Sequence, residues 1–381
     1  MSPRPPAAPP ALPALPVDAV WETPLPRRRT LDLIYLLPHH NLTGGMKILL
    51  EHIRRLRARG HRVRAAYRGR GTTAIPEWSD VQADGEILGP LREPIGPLLT
   101  GADAVVAGWY QSLFECQDSP SPVVYFEQGH ETLFGDVGDS DAGRDLARQF
   151  EGTMRMPFPV TAVSHAVAGI LRARFGRRAP VWFNGIDLER FHPDGHLDGR
   201  APARRVLLVG HPALPFKGFR TALDALDRAF RAGPPFEVTW VSQKAVEVTN
   251  APFPITNVVS PPQDQLPAIY RSHDLFLFTS RYEAFPLPPI EAMASGVPVV
   301  ATQCGGIATY ALGGHDAVLC PVDDVPSLAT AVSRLLASPS TLKLLSERGR
   351  AAAERFTWDA ALDAIEASLL RVAESRRPAA R

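Results

Sequence analysis

The sequence predicts an α/β chain of two Rossmann-like domains facing a central cleft. Three observations carry that expectation. At 381 residues the chain has room for about two domains. An apolar strand, a glycine turn and an amphipathic helix open the ordered part near Leu31. The same pattern restarts at Arg205, after a polar stretch punctuated by proline and glycine.

Residues 1–29 hold nine prolines and read as an extended, Pro-rich N-terminal tail, in which Leu12, Leu15, Val17 and Trp21 are the residues able to dock. The first domain is expected over 30–188. Its strands are expected at 31–37, 63–67, 104–107, 123–126, 160–163 and 181–183, each a short apolar run. The first helix follows Gly44-Gly45, carries Met46, Leu49, Leu50, Ile53 and Leu56 on one face, and stops at Gly60. A second helix spans 164–175, with Ser164 as N-cap and Gly176 past its end.

Asn184-Gly185 signals a turn, and 189–203 reads as a linker. The second domain, 204–356, is expected to hold strands at 205–209, 237–241, 275–279 and 298–301. Helices alternate with them: one after Lys217-Gly218 with Phe219, Leu223, Leu226 and Phe230 on one face, then 265–271, 289–295 and 326–337. A closing helix and tail occupy 357–381, with Thr357 as N-cap and Trp358, Leu362, Ile365 and Leu369 on the apolar face. Ligands of open parallel sheets bind outside the carboxyl ends of the strands, so the functional residues are sought in those loops.

Composition removes several classes of function. A net charge of +1 gives no case for nucleic-acid binding. No apolar run approaches the ~20 residues of a membrane span, and the N-terminus has no signal-peptide pattern. Cys116, Cys304 and Cys320 have neither metal-ligand nor disulfide-framework spacing, which suits a cytoplasmic protein. Arg54, Arg55, Arg57, Arg59, Arg62, Arg64, Arg68 and Arg70 read first as a solvated face. Their alternative use is contact with an anionic acceptor or with anionic lipid, the latter peripherally at the inner membrane face.

The sharpest chemical signal runs from Ser280 to Ala301. A buried strand ends at Thr279, a loop holds Glu283, Pro288 and Pro289 mark a helix start, and Gly296 and Pro298 end the helix and open the next strand. Glu283 and Glu291 lie on the loop and the helix, so they can converge although eight positions apart. Carboxylates accept from vicinal hydroxyls such as those of sugars and riboses. A helix start suits a diphosphate. Since Pro286, Pro288 and Pro289 lack an N–H, the amides of Ala284, Phe285 and Leu287 are the available donors.

This block, with its Glu-Ala-Met-Ala-Ser-Gly-Val-Pro continuation, resembles the Glu-x7-Glu signature of retaining GT-B glycosyltransferases of the group 1 type, the glycogen-synthase-like family 4. Gly44-Gly45, Asn184-Gly185-Ile186-Asp187 and the Trp358 helix resemble the same family, over about residues 31 to 372. The resemblance implies transfer of a sugar from a nucleotide-sugar donor to an unidentified acceptor, with retention of anomeric configuration, in polysaccharide or glycoconjugate biosynthesis. It implies neither metal nor cofactor. It assigns Glu291 to the donor ribose and Glu283 to the transferred sugar. Lys217 falls on the diphosphate, Gly44 and Gly45 on the diphosphate or reacting oxygens, and His130 near the sugar. Two positions depart from the family pattern: His211 stands where an arginine is usual, and Thr309 where a Gly-Gly-x-x-Glu segment has its glutamate. The competing readings are a nucleotide-sugar epimerase of the same fold and a non-catalytic donor-binding subunit.

Overall fold

The computed structural model describes residues 16–136, 138, 140–194, 204–248 and 250–375. The chain forms two compact units, one made of the residues up to Phe183 together with those from Leu362 on, the other of Asn184–Ala361. The dividing points differ from the expected 188 and 204, and the closing helix returns most of its length to the first unit.

In the first unit, β1 (Asp32–Leu37), α1 (Gly44–Ala58), β2 (Arg62–Arg68), β3 (Glu86–Gly89), β4 (Ala104–Ala107) and α2 (Ser112–Glu115) come first. They are followed by β5 (Val123–Glu127), α3 (Asp141–Met154), β6 (Val160–Ala162) and α4 (His165–Phe175). The sheet is parallel, in the order β3-β2-β1-β4-β5-β6. Its central strand β1 is buried on both faces from Leu33 to Leu37, as a parallel sheet covered by helices requires. Thr43 caps α1 by accepting from Met46 N at 3.3 Å, and Met46, Leu49, Leu50, Ile53 and Leu56 all face the core. Ser164 and Gly176 cap α4 as the sequence suggests.

The second unit contains β7 (Arg205–Val209), α5 (Phe219–Ala232), β8 (Glu237–Ser242), β9 (Ile255–Val259), α6 (Leu266–Arg271) and β10 (Leu275–Phe278). After these come α7 (Leu287–Ala294), β11 (Val299–Thr302), β12 (Val318–Cys320), α8 (Val325–Leu336) and α9 (Pro339–Ala353). Its sheet order, β12-β11-β10-β7-β8-β9, is the same 3-2-1-4-5-6 order read from the other edge. Val206, Leu208, Phe219, Leu226, Trp240, Leu328 and Val332 pack on one face of this sheet. The last helix, α10 (Trp358–Glu374), begins in the second unit.

Several expectations are corrected. Residues 181–183 make only one bridge, Ala162↔Val181, because the chain there drops the Trp182 ring into the core beside Phe126 and leaves the sheet. The sequence reading lacks the edge strands β3, β9 and β12: polar residues interrupt the first two, and the third is only three residues long. It also lacks α3 and α9, whose glycines, Gly143, Gly152 and Gly349, weaken the helical pattern.

The Pro-rich tail is not extended throughout. Residues 1–15, including Leu12 and Leu15, lie outside the described residues, but Pro16–Glu22 form a 3-10 helix. Asp18 and Arg177 are both fully buried and paired, with Nη2 to Oδ1 at 2.9 Å. Arg177 also donates to Met154 O and Phe158 O, and Asp18 accepts from Arg178 N, so the buried charges are hydrogen-bonded as well as neutralised. The linker is likewise partly ordered. Phe191 is buried and its carbonyl accepts from Arg350, whereas 195–203 lie outside the described residues.

Within the first unit, Glu366 of α10 accepts from Arg28 at 2.5 Å and Arg59 at 3.0 Å, with His61 at 3.3 Å. Arg54, Arg55, Arg57, Arg62, Arg64 and Arg68 are paired with Asp80, Glu51, Asp84, Asp32, Asp32 and Glu115. Most arginines of this surface are therefore engaged by nearby acids, Asp32 taking two of them. Among the described residues no helix is long and apolar enough to cross a membrane.

Removing one partner of the buried pair leaves the other charge uncompensated. Asp18→Ala is expected to lower unfolding free energy by about 3–5 kcal/mol, read from urea denaturation with an unchanged slope. A loss under about 1 kcal/mol, the range of an exposed pair, would show that this segment does not anchor the unit.

Candidate active site

In each sheet the strand order reverses at the centre, between β1 and β4 and between β7 and β10. The loops leaving these strands run in opposite directions and leave a crevice at the strand ends. In the second unit the two loops are locked together by backbone. Gly218 has φ +66°, and a Cβ there would lie 2.0 Å from Thr279 O, so only glycine fits. Thr279 Oγ1 donates to Gly218 O at 3.0 Å, and Arg281 N donates to Phe216 O at 2.7 Å. Phe216 stacks on Tyr282 with centroids 4.9 Å apart.

This lock brings Lys217 and Glu283 together. Lys217 Nζ donates to Glu283 Oε1 at 2.6 Å, and Ser280 Oγ donates to the same oxygen at 3.0 Å. Both side chains are partly exposed, at 23% and 16%, so the pair is open to a ligand. The Glu283 backbone is fixed on its other side, its N–H donating to Cys304 O and its carbonyl accepting from Gly306 N, each at 2.9 Å. A Cβ on Gly306 would meet Ala284 O at 2.2 Å. Burial, with Glu283 nearby, pushes the Cys304 thiol up to about 12, so it stays neutral.

Glu291 is held separately. It stands in the second turn of α7, which starts at Leu287 rather than 289, and its Oε2 accepts from Tyr270 OH at 2.8 Å. Burial and then Glu291 itself push the Tyr270 phenol well above its usual range, so it remains a donor. Tyr310 OH donates to Pro286 O at 2.6 Å, bracing the helix start. The amides of Ala284 and Phe285 meet no acceptor among the described residues, and that of Leu287, as first helical residue, has no intrahelical partner. Phe285 itself is buried against Tyr310 and Phe356. The two positions that depart from the family pattern are occupied quietly. His211 Nδ1 accepts from Ala213 N at 3.1 Å within its own loop, and the buried Thr309 Oγ1 has no partner among the described residues.

In the first unit, Gly44 and Gly45 form the first turn of α1 rather than a loop ahead of it. A Cβ on Gly44 would meet nothing within 4 Å, whereas one on Gly45 would lie 3.3 Å from Gln128 Oε1. His130 follows β5, its ring 5.0 Å from Trp109 and 4.9 Å from Tyr110. Burial lowers its pKa, partly offset by Glu131. Nδ1 accepts from Thr132 N at 3.2 Å, which assigns the proton of the neutral ring to Nε2.

The sequence reading missed the residue that holds this loop. Glu127, buried at the end of β5, accepts from Gly129 N at 2.5 Å, His130 N at 3.2 Å and Tyr125 OH at 2.7 Å. An acid closing an apolar strand is the only sequence signal of it. Burial raises its pKa, against these three hydrogen bonds.

Sucrose-phosphate synthase from Thermosynechococcus elongatus superposes with a TM-score of 0.71 at 22% identity, over 87% of this chain and 97% of that one. Anabaena HepE, solved in complex with UDP and glucose, superposes with a TM-score of 0.68 at 18% identity, over 88% and 98%. The fold is that of the GT-B glycosyltransferases. Within this GT-B chain, residues 203–338 match the model of the family described as glycosyl transferases group 1. A D-inositol 3-phosphate glycosyltransferase of Streptomyces bingchenggensis is 32% identical over 203 residues, 46% of this chain and 44% of that protein. An MMP alpha-(1->4)-mannosyltransferase of Mycolicibacterium hassiacum is 32% identical over 184 residues, again 46% and 44%. The chain spans less than half the length of these curated relatives.

Glu127 yields a pH prediction. With its pKa raised on folding, the native state keeps this proton at a pH where the unfolded chain has lost it. Stability therefore falls as pH rises from the ordinary carboxylate value through the native one, and is flat above. Glu127→Gln should remove that slope, measured as melting temperature against pH. An unchanged slope would show that Glu127 is ionised throughout.

Proposed function

We propose that this GT-B chain is a retaining glycosyltransferase that takes a sugar from a nucleotide-sugar donor and passes it to a hydroxylated acceptor. The observation that carries this reading is the Lys217–Glu283 pair, set at the strand-order reversal of the second unit beside the free amides of a helix start. Lys217 balances the donor diphosphate, which gains negative charge as the bond to the anomeric carbon breaks, when a fixed ammonium is worth most. Glu283 Oε1 is engaged by Lys217 and Ser280, and Oε2 is left to accept from hydroxyls of the transferred sugar. Glu291, oriented by Tyr270, takes the ribose hydroxyls. The amides of Ala284, Phe285 and Leu287 add donors for the phosphates.

In the same reading, Gly44 and Gly45 present the first turn of α1 to the diphosphate or the reacting oxygens, and neutral His130 donates from Nε2 to a sugar hydroxyl. The acceptor oxygen bonds to the anomeric carbon on the face the diphosphate leaves. Its proton passes to a phosphate oxygen of the leaving group, so configuration is retained and no separate protein base is needed. The reaction runs without metal or organic cofactor, and the cytoplasm, where nucleotide-sugars are made, is its site. UDP-glucose is the first donor to try, since HepE has been solved with it.

Two measurements test this. Lys217→Ala should lose about 1.5–3 kcal/mol of transition-state stabilisation, roughly 10- to 150-fold in kcat/KM, scored as nucleoside diphosphate release without added metal. Glu291→Ala should fold normally yet lose the rise in melting temperature that a nucleotide-sugar gives the native chain. No thermal response to any nucleotide or nucleotide-sugar would move the non-catalytic reading ahead.

A further inference from the structure

The strand-order reversal of the first unit gathers rings around Trp109, of which only His130 has a part in the donor chemistry. Trp109 follows β4 and is partly exposed, whereas its neighbours Tyr110 and Phe150 are fully buried. Its ring meets His130 at 83° with centroids 5.0 Å apart, and His39, from the loop after β1, at 73° and 6.3 Å. Tyr110 packs beside it at 5.5 Å. The indole Nε1 donates to Gln111 Oε1 at 3.2 Å, and Gln111 is 3.5 Å from Gln149 Oε1. The tryptophan is thus braced in one orientation by three loops while part of it stays open. A core role would have buried it, and a casual surface ring would not be held from both sides.

The chemistry around it is selective. Burial holds both His39 and His130 toward the neutral imidazole. With Gln111 and Gln149 the setting offers neutral donors and acceptors beside an electron-rich ring face. The charge closest to His130 is negative: Glu131 Oε2 lies 3.5 Å from Nε2 and is half exposed. A pyranose or cyclitol matches this on both counts. Its C–H face carries the slight positive charge that the negative face of an aromatic ring attracts, and its hydroxyls suit amides and imidazoles. A phosphate or carboxylate would instead meet Glu131.

We propose that Trp109, braced by His39, His130 and Gln111, is the stacking platform of an acceptor subsite for an uncharged, hydroxylated six-membered ring. The assignment of that ring as acceptor rests on the transferase reading, while the ring-binding site itself does not.

The test uses the full chain with three probes: methyl α-D-glucopyranoside, myo-inositol and glucose 6-phosphate. Binding is followed by saturation-transfer NMR and tryptophan fluorescence in the native protein, Trp109→Phe and Trp109→Ala. At least one neutral ring should bind the native chain more tightly than glucose 6-phosphate. Trp109→Phe should keep that binding, and Trp109→Ala should weaken it at least about tenfold. Retention by the Phe variant guards against a fold defect in the Ala variant. Absence of neutral-ring binding, binding indifferent to Trp109→Ala, or a preference for glucose 6-phosphate would each overturn the subsite. The thermal response to a panel of nucleotides and nucleotide-sugars in the same samples separates the two ideas. Ring binding without a response to any of them sinks the transferase and leaves the subsite, and the converse pattern sinks the subsite alone.

Discussion

Gly218 lies against the carbonyl of Thr279 with no room for a side chain, and the second unit's chemistry is arranged around that contact. A parallel sheet whose strand order reverses sends two neighbouring loops apart, and a site forms there only if something pulls them back. Here the pull comes from the Thr279 hydroxyl and the Arg281 amide, which donate to carbonyls of the segment holding Phe216, Lys217 and Gly218. Lys217 and Glu283, 66 positions apart in sequence, then meet at hydrogen-bond distance without either needing long-range order of its own. The second hold on Glu283, through Cys304 and Gly306, fixes its backbone, while Lys217 and Ser280 hold the carboxylate. An ammonium and a carboxylate placed this way are preorganised, which is what charge development in a transition state rewards.

The first unit solves the same problem with a buried acid. Glu127 has no cation beside it among its bonded partners, only two amides and a phenol. A carboxylate in that setting is costly to ionise, yet it organises the turn that presents Gln128 to Gly45 and His130 to the aromatic rings. Both units therefore hold these side chains on loops at the carboxyl ends of parallel strands. One uses close backbone contact as the fastener and the other a satisfied buried polar group.

Charge elsewhere in the chain is spent on architecture. The arginines of α1 and β2 are matched with acids of α1 itself, of β1, of a neighbouring loop and of α10, and Arg177 takes Asp18 out of solvent altogether. A near-zero net charge thus conceals a dense pattern of local pairing. That pairing turns a proline-rich leader into a docked segment from residue 16 on and ties most of an arginine-rich stretch to neighbouring acids.

Central strands and strongly amphipathic helices were legible in the sequence because burial on two faces, or on one stripe, writes itself into residue order. The runs that became β1, β4, β7 and β10 and the face of α1 needed no tertiary information. Edge strands β3 and β9 were invisible because polar, partly exposed residues interrupt them, β12 because it is only three residues long, and α3 and α9 because glycine blurs their period. Glu283, Glu291 and Lys217 stood out because a motif fixes local chain geometry. Glu127, Tyr270 and Trp109 did not, because each acts through partners brought near by the sheet. Sequence by itself determined the central strands, the strongly amphipathic helices and which short segments carry charged groups, since those depend on neighbours along the chain. Only the tertiary structure decided that Asp18 pairs with Arg177, that Tyr270 orients Glu291, and that Lys217 touches Glu283, because strand order alone determines which loops meet.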